Sequence, residues 1–272
     1  MLKDITLGQF FPGNSLLHKA DPRMKVVSML LFAVAVFMAS GLLAYLFLAA
    51  FVLGLCFMSG ISLKVILKGL KPVVFITVFM GLINIFFTAG EKVLLDLGFI
   101  KICAEGLWAA LFIALRIICL VTGTTLLLTY TTSPNVLCDA IESLLSPLKK
   151  IKVPVHDFAM MMTIALRFVP TLIEETDKIM CAQKARGANF ETGSLLSRAK
   201  ALLPVLIPLL VSSVRRATEL ATAMECRCYA GGEGRTKMRV LKLKLWDWFF
   251  MLSWIALGVA LYFLSAVKIF GV

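Results

Sequence analysis

The chain has 272 residues, 60% of them hydrophobic and 16% charged, and a mean hydropathy of +0.93. That is more apolar surface than a soluble core of this length can hide, which excludes an ordinary water-soluble enzyme and makes a bilayer the natural solvent. The formal net charge is +12, but the excess flanks apolar runs and no basic stripe is interleaved with aromatics, so it reads as membrane-flanking charge rather than a nucleic-acid surface.

No cleaved signal peptide is expected: the first apolar run follows a charged, Pro-containing segment of about 25 residues and lacks a small-residue cleavage pattern. In "LLHKADPRMKV", Asp21 can cap free N–H groups and Pro22 fits the first helical position, so the first span starts there. Val26 to Ser40 and Leu42 to Met58 form one apolar run of about 33 residues, roughly 50 Å as a helix and too long for one crossing. Ser40-Gly41 is the expected turn. Further spans are expected at Pro72 to Thr88, Gly106 to Tyr130 and Leu245 to Val267.

Between the fourth and fifth spans the pattern changes. Val136, Leu137, Ala140, Ile141, Leu144 and Leu145 lie on one face of an amphipathic helix, opposite Asp139, Glu142 and Ser143. "VPVHDFAMMMTIALRFVPTLI" is long enough to cross but holds His156, Asp157 and Arg167, so a helix skirting the membrane is expected, kinked near Pro170 and stopped at Gly187. The next helix starts near Ser194. It carries a seam of Leu206, Leu210, Val214, Ala217, Ala221, Met224 and Cys228, and its apolar part, with Pro204 and Pro208, is too short to span. Gly231 and Gly232 are its expected stop. The last span opens with Lys242, Lys244, Trp246 and Trp248 at the headgroups, and Asp247 there is given no function.

Residues 131 to 245 hold 17 of the 28 basic and 10 of the 16 acidic residues, a surplus of seven. With Lys19, Arg23 and Lys25 before the first span and Lys64, Lys68 and Lys71 before the third, the positive-inside rule gives a cytoplasmic N-terminus, five crossings and an outside C-terminus. Seven cysteines without a C-x-x-C pair read as free thiols. His18 and His156 are far apart and read as capping or packed groups, so no metal site is expected.

Two helix ends stand out. "CAQKARGANF" and "MECRCYAGGEG" each place an arginine, Arg186 and Arg227, just before a helix stop. A helix of about 30 residues is some 45 Å long. Two such rods crossing through the small-residue seam would carry their tips out of the membrane and present both arginines to a partner. Each arginine alone could be a solvated cation beside a helix C-terminal dipole, a contribution of about 0.3–1 kcal/mol. Each could also enter an acidic groove on another protein through bidentate bonds.

"HKADPRMK", "SPLKKIKVPVHDFAMMMTIALRFVPTLIEE", "AQKARGANFETG" and "MECRCYAGGEGRTK" together resemble the transmembrane T component of energy-coupling factor (ECF) vitamin and metal importers, the CbiQ/EcfT family, a branch of the ABC transporters. The family's two X-Arg-X signatures fall on Ala185-Arg186-Gly187 and Cys226-Arg227-Cys228; Cys226 departs from the usual alanine. The resemblance implies an all-α membrane protein with about five transmembrane helices and a cytoplasmic coupling domain of about three helices, two of them long and crossing. Its domains would be 1–130 in the membrane, 131–243 in the cytoplasm and 244–272 as the last span. It also implies a non-catalytic scaffold in the cell membrane, joining two ABC-type ATPase subunits, a heterodimer, to interchangeable substrate-binding S components. ATP and Mg would be used by those partners, with no cofactor on this chain; no G-x-x-x-x-G-K-[ST] occurs in it.

On this reading ATPase closure draws the tips together, and the crossed helices pass the motion to Val155 to Val169 and Leu202 to Val211. Phe158, Met161, Met162, Leu206, Leu209 and Leu210 are the expected S-component contacts, the methionines supplying adaptable packing. Arg167, Arg215 and Arg216 are expected to meet phosphate headgroups or to pair with Glu174, Glu175 or Glu219. The competing reading is the substrate-translocating permease of a conventional ABC importer, which calls for one coupling segment and a polar pathway; Arg116 is the main ionisable group within the spans. An intramembrane enzyme would need clustered Asp, Glu or His, which the sequence lacks.

Overall fold

The computed structural model describes residues 10–13, 15–88, 93–96, 101–190, 194–231 and 243–266. Its elements are α1 (Leu16–Lys19), α2 (Pro22–Met38), α3 (Leu42–Ser59), α4 (Leu63–Phe87), strands β1 (Val93–Asp96) and β2 (Lys101–Cys103), α5 (Ala104–Thr124) continued by a π-helical stretch (Thr125–Tyr130), α6 (Pro134–Leu144), a 3₁₀ segment (Ser146–Ile151), α7 (Val155–Ala185), α8 (Leu195–Glu225) and α9 (Leu245–Ala266). The protein is an all-α membrane protein with one addition: β1 and β2 pair as a small antiparallel hairpin between α4 and α5. Two compact units share the chain, one of residues 8–140 with 241–272 and one of residues 141–240.

In the first unit the local signals act as the sequence suggests. The Asp21 Oδ1 accepts the Arg23 N–H at 2.9 Å, and Pro22 opens α2. Gly41, at φ 86°, breaks the long apolar run into α2 and α3, a conformation glycine adopts without a Cβ clash. By length and composition α3, α4, α5 with its π-helical extension, α8 and α9 can cross a membrane. Four of the expected spans are therefore in this set. The expected first span lies in α2, which has 17 residues, about 25 Å and slightly under a full hydrocarbon width. Conversely, α8 passes on the same two criteria, whereas the sequence predicts that its apolar part is too short to span.

The core of this unit gathers on α2, α3, α5 and α9. Phe32 is fully buried against Trp254, ring centroids 5.4 Å apart, and Phe51 and Phe250 close on the same indole at 5.3 and 5.8 Å. A Cβ on Gly123 would lie 2.3 Å from the Phe32 ring, so only glycine lets α5 approach this closely. Arg116 is held by hydrogen bonds to a hydroxyl and a carbonyl of the same unit. Its guanidinium donates to the Tyr45 hydroxyl at 2.9 and 2.5 Å and to the Ala39 carbonyl at 3.3 Å, where α2 ends.

Asp247, given no role by the sequence, is a buried tie: Oδ2 accepts the Lys244 N–H at the start of α9 and Oδ1 accepts the Asp21 N–H at the start of α2, both at 2.8 Å. Beside it, the buried Lys25 ammonium donates to the Thr131 carbonyl at 3.0 Å and to the Thr132 hydroxyl at 3.3 Å. Polar side chains inside an apolar unit are tolerated when their hydrogen bonds are made, as these are.

The second unit is dominated by α7 and α8, each of 31 residues. Ser194 caps α8 by accepting the Ser197 N–H at 3.3 Å. His156, at the start of α7, sets its Nδ1 3.1 Å from Glu142 Oε1. Among the described residues no three His, Cys, Asp or Glu side chains come together as a metal site, and all seven cysteines are free thiols.

Candidate functional site

The two arginine-bearing ends are built from one backbone motif. At the end of α7 the Ala188 N–H bonds to the Gln183 carbonyl and the Gly187 N–H to the Lys184 carbonyl, both at 3.0 Å, with Gly187 at φ 88°. At the end of α8 the Tyr229 N–H bonds to the Met224 carbonyl at 3.1 Å and the Cys228 N–H to the Glu225 carbonyl at 2.8 Å, with Cys228 at φ 55°. Counted from each arginine these are the same two bonds, a Schellman cap. Arg186 and Arg227 hold the same place in it, immediately before the left-handed residue. The cap satisfies carbonyls that would otherwise be orphaned and leaves the arginine side chain free to point away from the rod.

Ala185, Arg186, Gly187, Cys226, Arg227 and Cys228 are all exposed. Neither Arg186 nor Arg227 has a side-chain partner among the described residues, and neither does Arg167 on α7, whereas Arg215 and Arg216 on α8 are paired. Arg216 donates to Glu175 Oε2 at 2.6 Å, and Arg215 to Glu219 Oε1 at 3.0 Å, two of the pairings the sequence offered. The expected stop at Gly231 and Gly232 needs correction. The helix ends at Glu225 and the reversal is made by Cys228, three residues before Gly231; Gly232 lies outside the described residues.

α7 and α8 run antiparallel. The Gln183 amide reaches the Pro204 carbonyl at 3.5 Å, and Glu175 accepts from the Ser212 hydroxyl, so eight residues back along α7 match eight forward along α8. Ile164, Phe168 and Leu172 face Ala217, Leu220, Ala221 and Met224 across a cleft of about 260 Å³. The lower seam of α8 therefore meets α7, whereas Leu206, Leu210 and Val214, its upper part, are exposed.

The two arginine tips, expected from the sequence to project together out of the membrane on crossing rods, are at opposite ends of the pair: Arg227 is roughly 26 residues beyond the α8 position that faces Arg186, about 40 Å along the pair. Glu175 and Arg216, which bond to each other, stand equally far from the tips. Glu175 is 11 residues before Arg186 and Arg216 is 11 before Arg227. The pair thus has an approximate two-fold axis near this bridge.

The candidate docking residues separate in the same way. Phe158, Met161 and Met162 are exposed near the start of α7, beside the Arg227 end; Leu206 and Leu210 are exposed and Leu209 half-buried on α8, toward the Arg186 end. These are two patches, about 30 Å apart by the same register. The α8 patch also includes Leu203, Ile207 and Val211, which fall within the expected Leu202 to Val211 segment though not among the six named contacts. The i, i+4 pair Ser212 and Arg216 was the signal available, because a polar pair turned toward Glu175 fixes which side of α8 is left outside.

The sequence model of the CbiQ family, described as a cobalt transport protein, matches residues 13–238. The chain belongs to the CbiQ/EcfT family. Among curated relatives, the energy-coupling factor transporter transmembrane protein EcfT of Ruminiclostridium cellulolyticum is 54% identical over 247 residues, covering 91% of this chain and 92% of its own. The protein of the same description from Bacillus subtilis is 45% identical over 266 residues, 98% of this chain and all of its own length. That from Thermosediminibacter oceani is 48% identical over 258 residues, 95% and 96% of the two chains. Membership makes this chain a multi-pass membrane subunit of a transporter, and both arginine caps lie within the matched region.

Proposed function

We propose that this chain is the transmembrane scaffold of an ECF transporter, coupling ATP hydrolysis by two cytoplasmic ABC-type ATPase subunits to reorientation of a substrate-binding S component during micronutrient uptake. The observation that carries the proposal is the pair of equivalent, partner-free arginine caps at opposite ends of one antiparallel helix pair. A pseudo-two-fold rod with two like ends fits a partner that is itself a dimer of like halves. Each guanidinium would enter an acidic groove on a different ATPase as a bidentate donor.

Antiparallel packing supports one placement of the pair against the membrane. Upright struts would put Arg186 and Arg227 on opposite sides of the bilayer. Both face the cytoplasm only if α7 and α8 lie along the surface. The charge pattern favours that placement, since between Lys200 and Arg215 α8 has only 14 uncharged residues, about 21 Å against a hydrocarbon width of ~30 Å. α2, α3, α4, α5 and α9 then make five crossings, with the N-terminus and residues 131–243 cytoplasmic and the C-terminus outside. The apolar patches on α7 and α8 would face the lipid and the S component.

The chain is a non-catalytic subunit on this proposal; ATP and Mg act in the ATPases. When those close, the two ends are drawn toward one another and the rods pivot about the Glu175–Arg216 bridge, moving both patches at once. The test is Arg186→Glu and Arg227→Glu, made separately in the full complex. Each should lower ATPase co-purification and abolish uptake, and normal values for both variants would overturn the proposal.

A further inference from the structure

We propose that a cleft formed by α1, the end of α3 and the start of α9 binds one anionic phospholipid, with its phosphate between Lys19 and Lys244 and an acyl chain running down to Trp254. The cleft has a volume of about 580 Å³ and a floor that includes Leu55, Phe250 and Trp254, within the ~300–1,000 Å³ of ligand pockets. Its depth matches one leaflet. Lys244 and Trp254 both line it and are ten residues apart on α9, about 15 Å, half of the ~30 Å hydrocarbon thickness.

The chemistry changes along that depth. At the mouth are two exposed ammonium groups, Lys19 and Lys244, without acidic partners among the described residues, and the exposed indole of Trp246. Below them the walls are apolar. Asp247 also borders the cleft, but its two oxygens are taken by the N–H groups of Asp21 and Lys244 and it is buried, so it does not oppose an anion at the mouth. A cationic rim with an aromatic beside it over a leaflet-deep greasy wall suits an amphiphile with a negative head and a hydrocarbon tail. A protein side chain would be too short to fill it, and a free anion would leave the walls bare.

The experiment uses Trp254 as the reporter, with Trp108→Phe, Trp246→Phe and Trp248→Phe removing the other indoles of the full chain, reconstituted in vesicles. Phosphatidylglycerol or phosphatidylcholine brominated on the acyl chain is added at equal mole fraction. Brominated phosphatidylglycerol should quench Trp254 several-fold more strongly, at roughly fivefold preference per lysine, and Lys19→Gln with Lys244→Gln should erase the difference. Native mass spectrometry of the unsubstituted chain from mixed-lipid nanodiscs should retain phosphatidylglycerol, and the double lysine variant should lose it. Equal quenching by the two lipids, quenching by neither, or a preference that survives loss of both lysines would overturn the proposal.

Discussion

The ends of α7 and α8 solve one backbone problem with different residues. Both reverse through a left-handed residue directly after an arginine, but α7 uses Gly187 and α8 uses Cys228. Glycine enters that region without steric cost, whereas a side chain there is destabilised by about 1–2 kcal/mol. The geometry at Arg227 is therefore held against a local strain that Arg186 does not carry. That the same hydrogen bonds form at both ends teaches that the presentation of the arginine, rather than the glycine, is the feature the two ends share.

The largest expected effect separates the arginines from their caps. If both tips dock equivalently, Arg186→Glu and Arg227→Glu should each weaken ATPase binding by about 2–5 kcal/mol, the range for breaking a buried charge pair, read by titrating ATPase onto the reconstituted chain. A loss at only one tip would break the equivalence. Next come the caps themselves. Gly187→Ala, with open space around the new methyl, should cost about 1–2 kcal/mol and Cys228→Gly should gain about 1 kcal/mol. Hydrogen exchange at the Ala188 and Tyr229 amides, the outer bonds of the two caps, measures both; faster exchange at Tyr229 in Cys228→Gly would show that the left-handed turn is not strained.

Smaller effects distinguish the pivot from the surface. Glu175→Gln removes the carboxylate from Arg216, whose side chain is 33% exposed, and should loosen α7 against α8 by about 1 kcal/mol. Glu219→Gln breaks the i, i+4 pair with Arg215, 80% exposed, and should change little, about 0.3 kcal/mol. Exchange rates of amides near residues 172–178 read both substitutions, and equal effects would remove the bridge from the account.

Much of this architecture was legible from local chemistry. Asp21 before Pro22, Gly41 between two apolar runs and Gly187 after a long amphipathic stretch each mark a helix boundary through their own conformational preference. Cys228 was not legible, since cysteine has no preference for the left-handed region; the nearby Gly231 and Gly232 were the stronger signal and pointed three residues too far. Long-range pairing was hidden for a different reason. Glu175 meets Ser212 across 37 residues and Asp247 meets Asp21 across 226, and no periodicity within one helix states which distant partner it faces. The antiparallel register, and with it the distance between the two tips, is a tertiary property.

The most direct measurement is thiol cross-linking in the intact complex, from a cysteine placed at Ala185 and, separately, from the native Cys226, the other thiols having been replaced. The account predicts that each position attaches to a different one of the two ATPase subunits, because the tips are about 40 Å apart on an antiparallel pair. Attachment of both positions to the same ATPase subunit, or of neither to any, would contradict it.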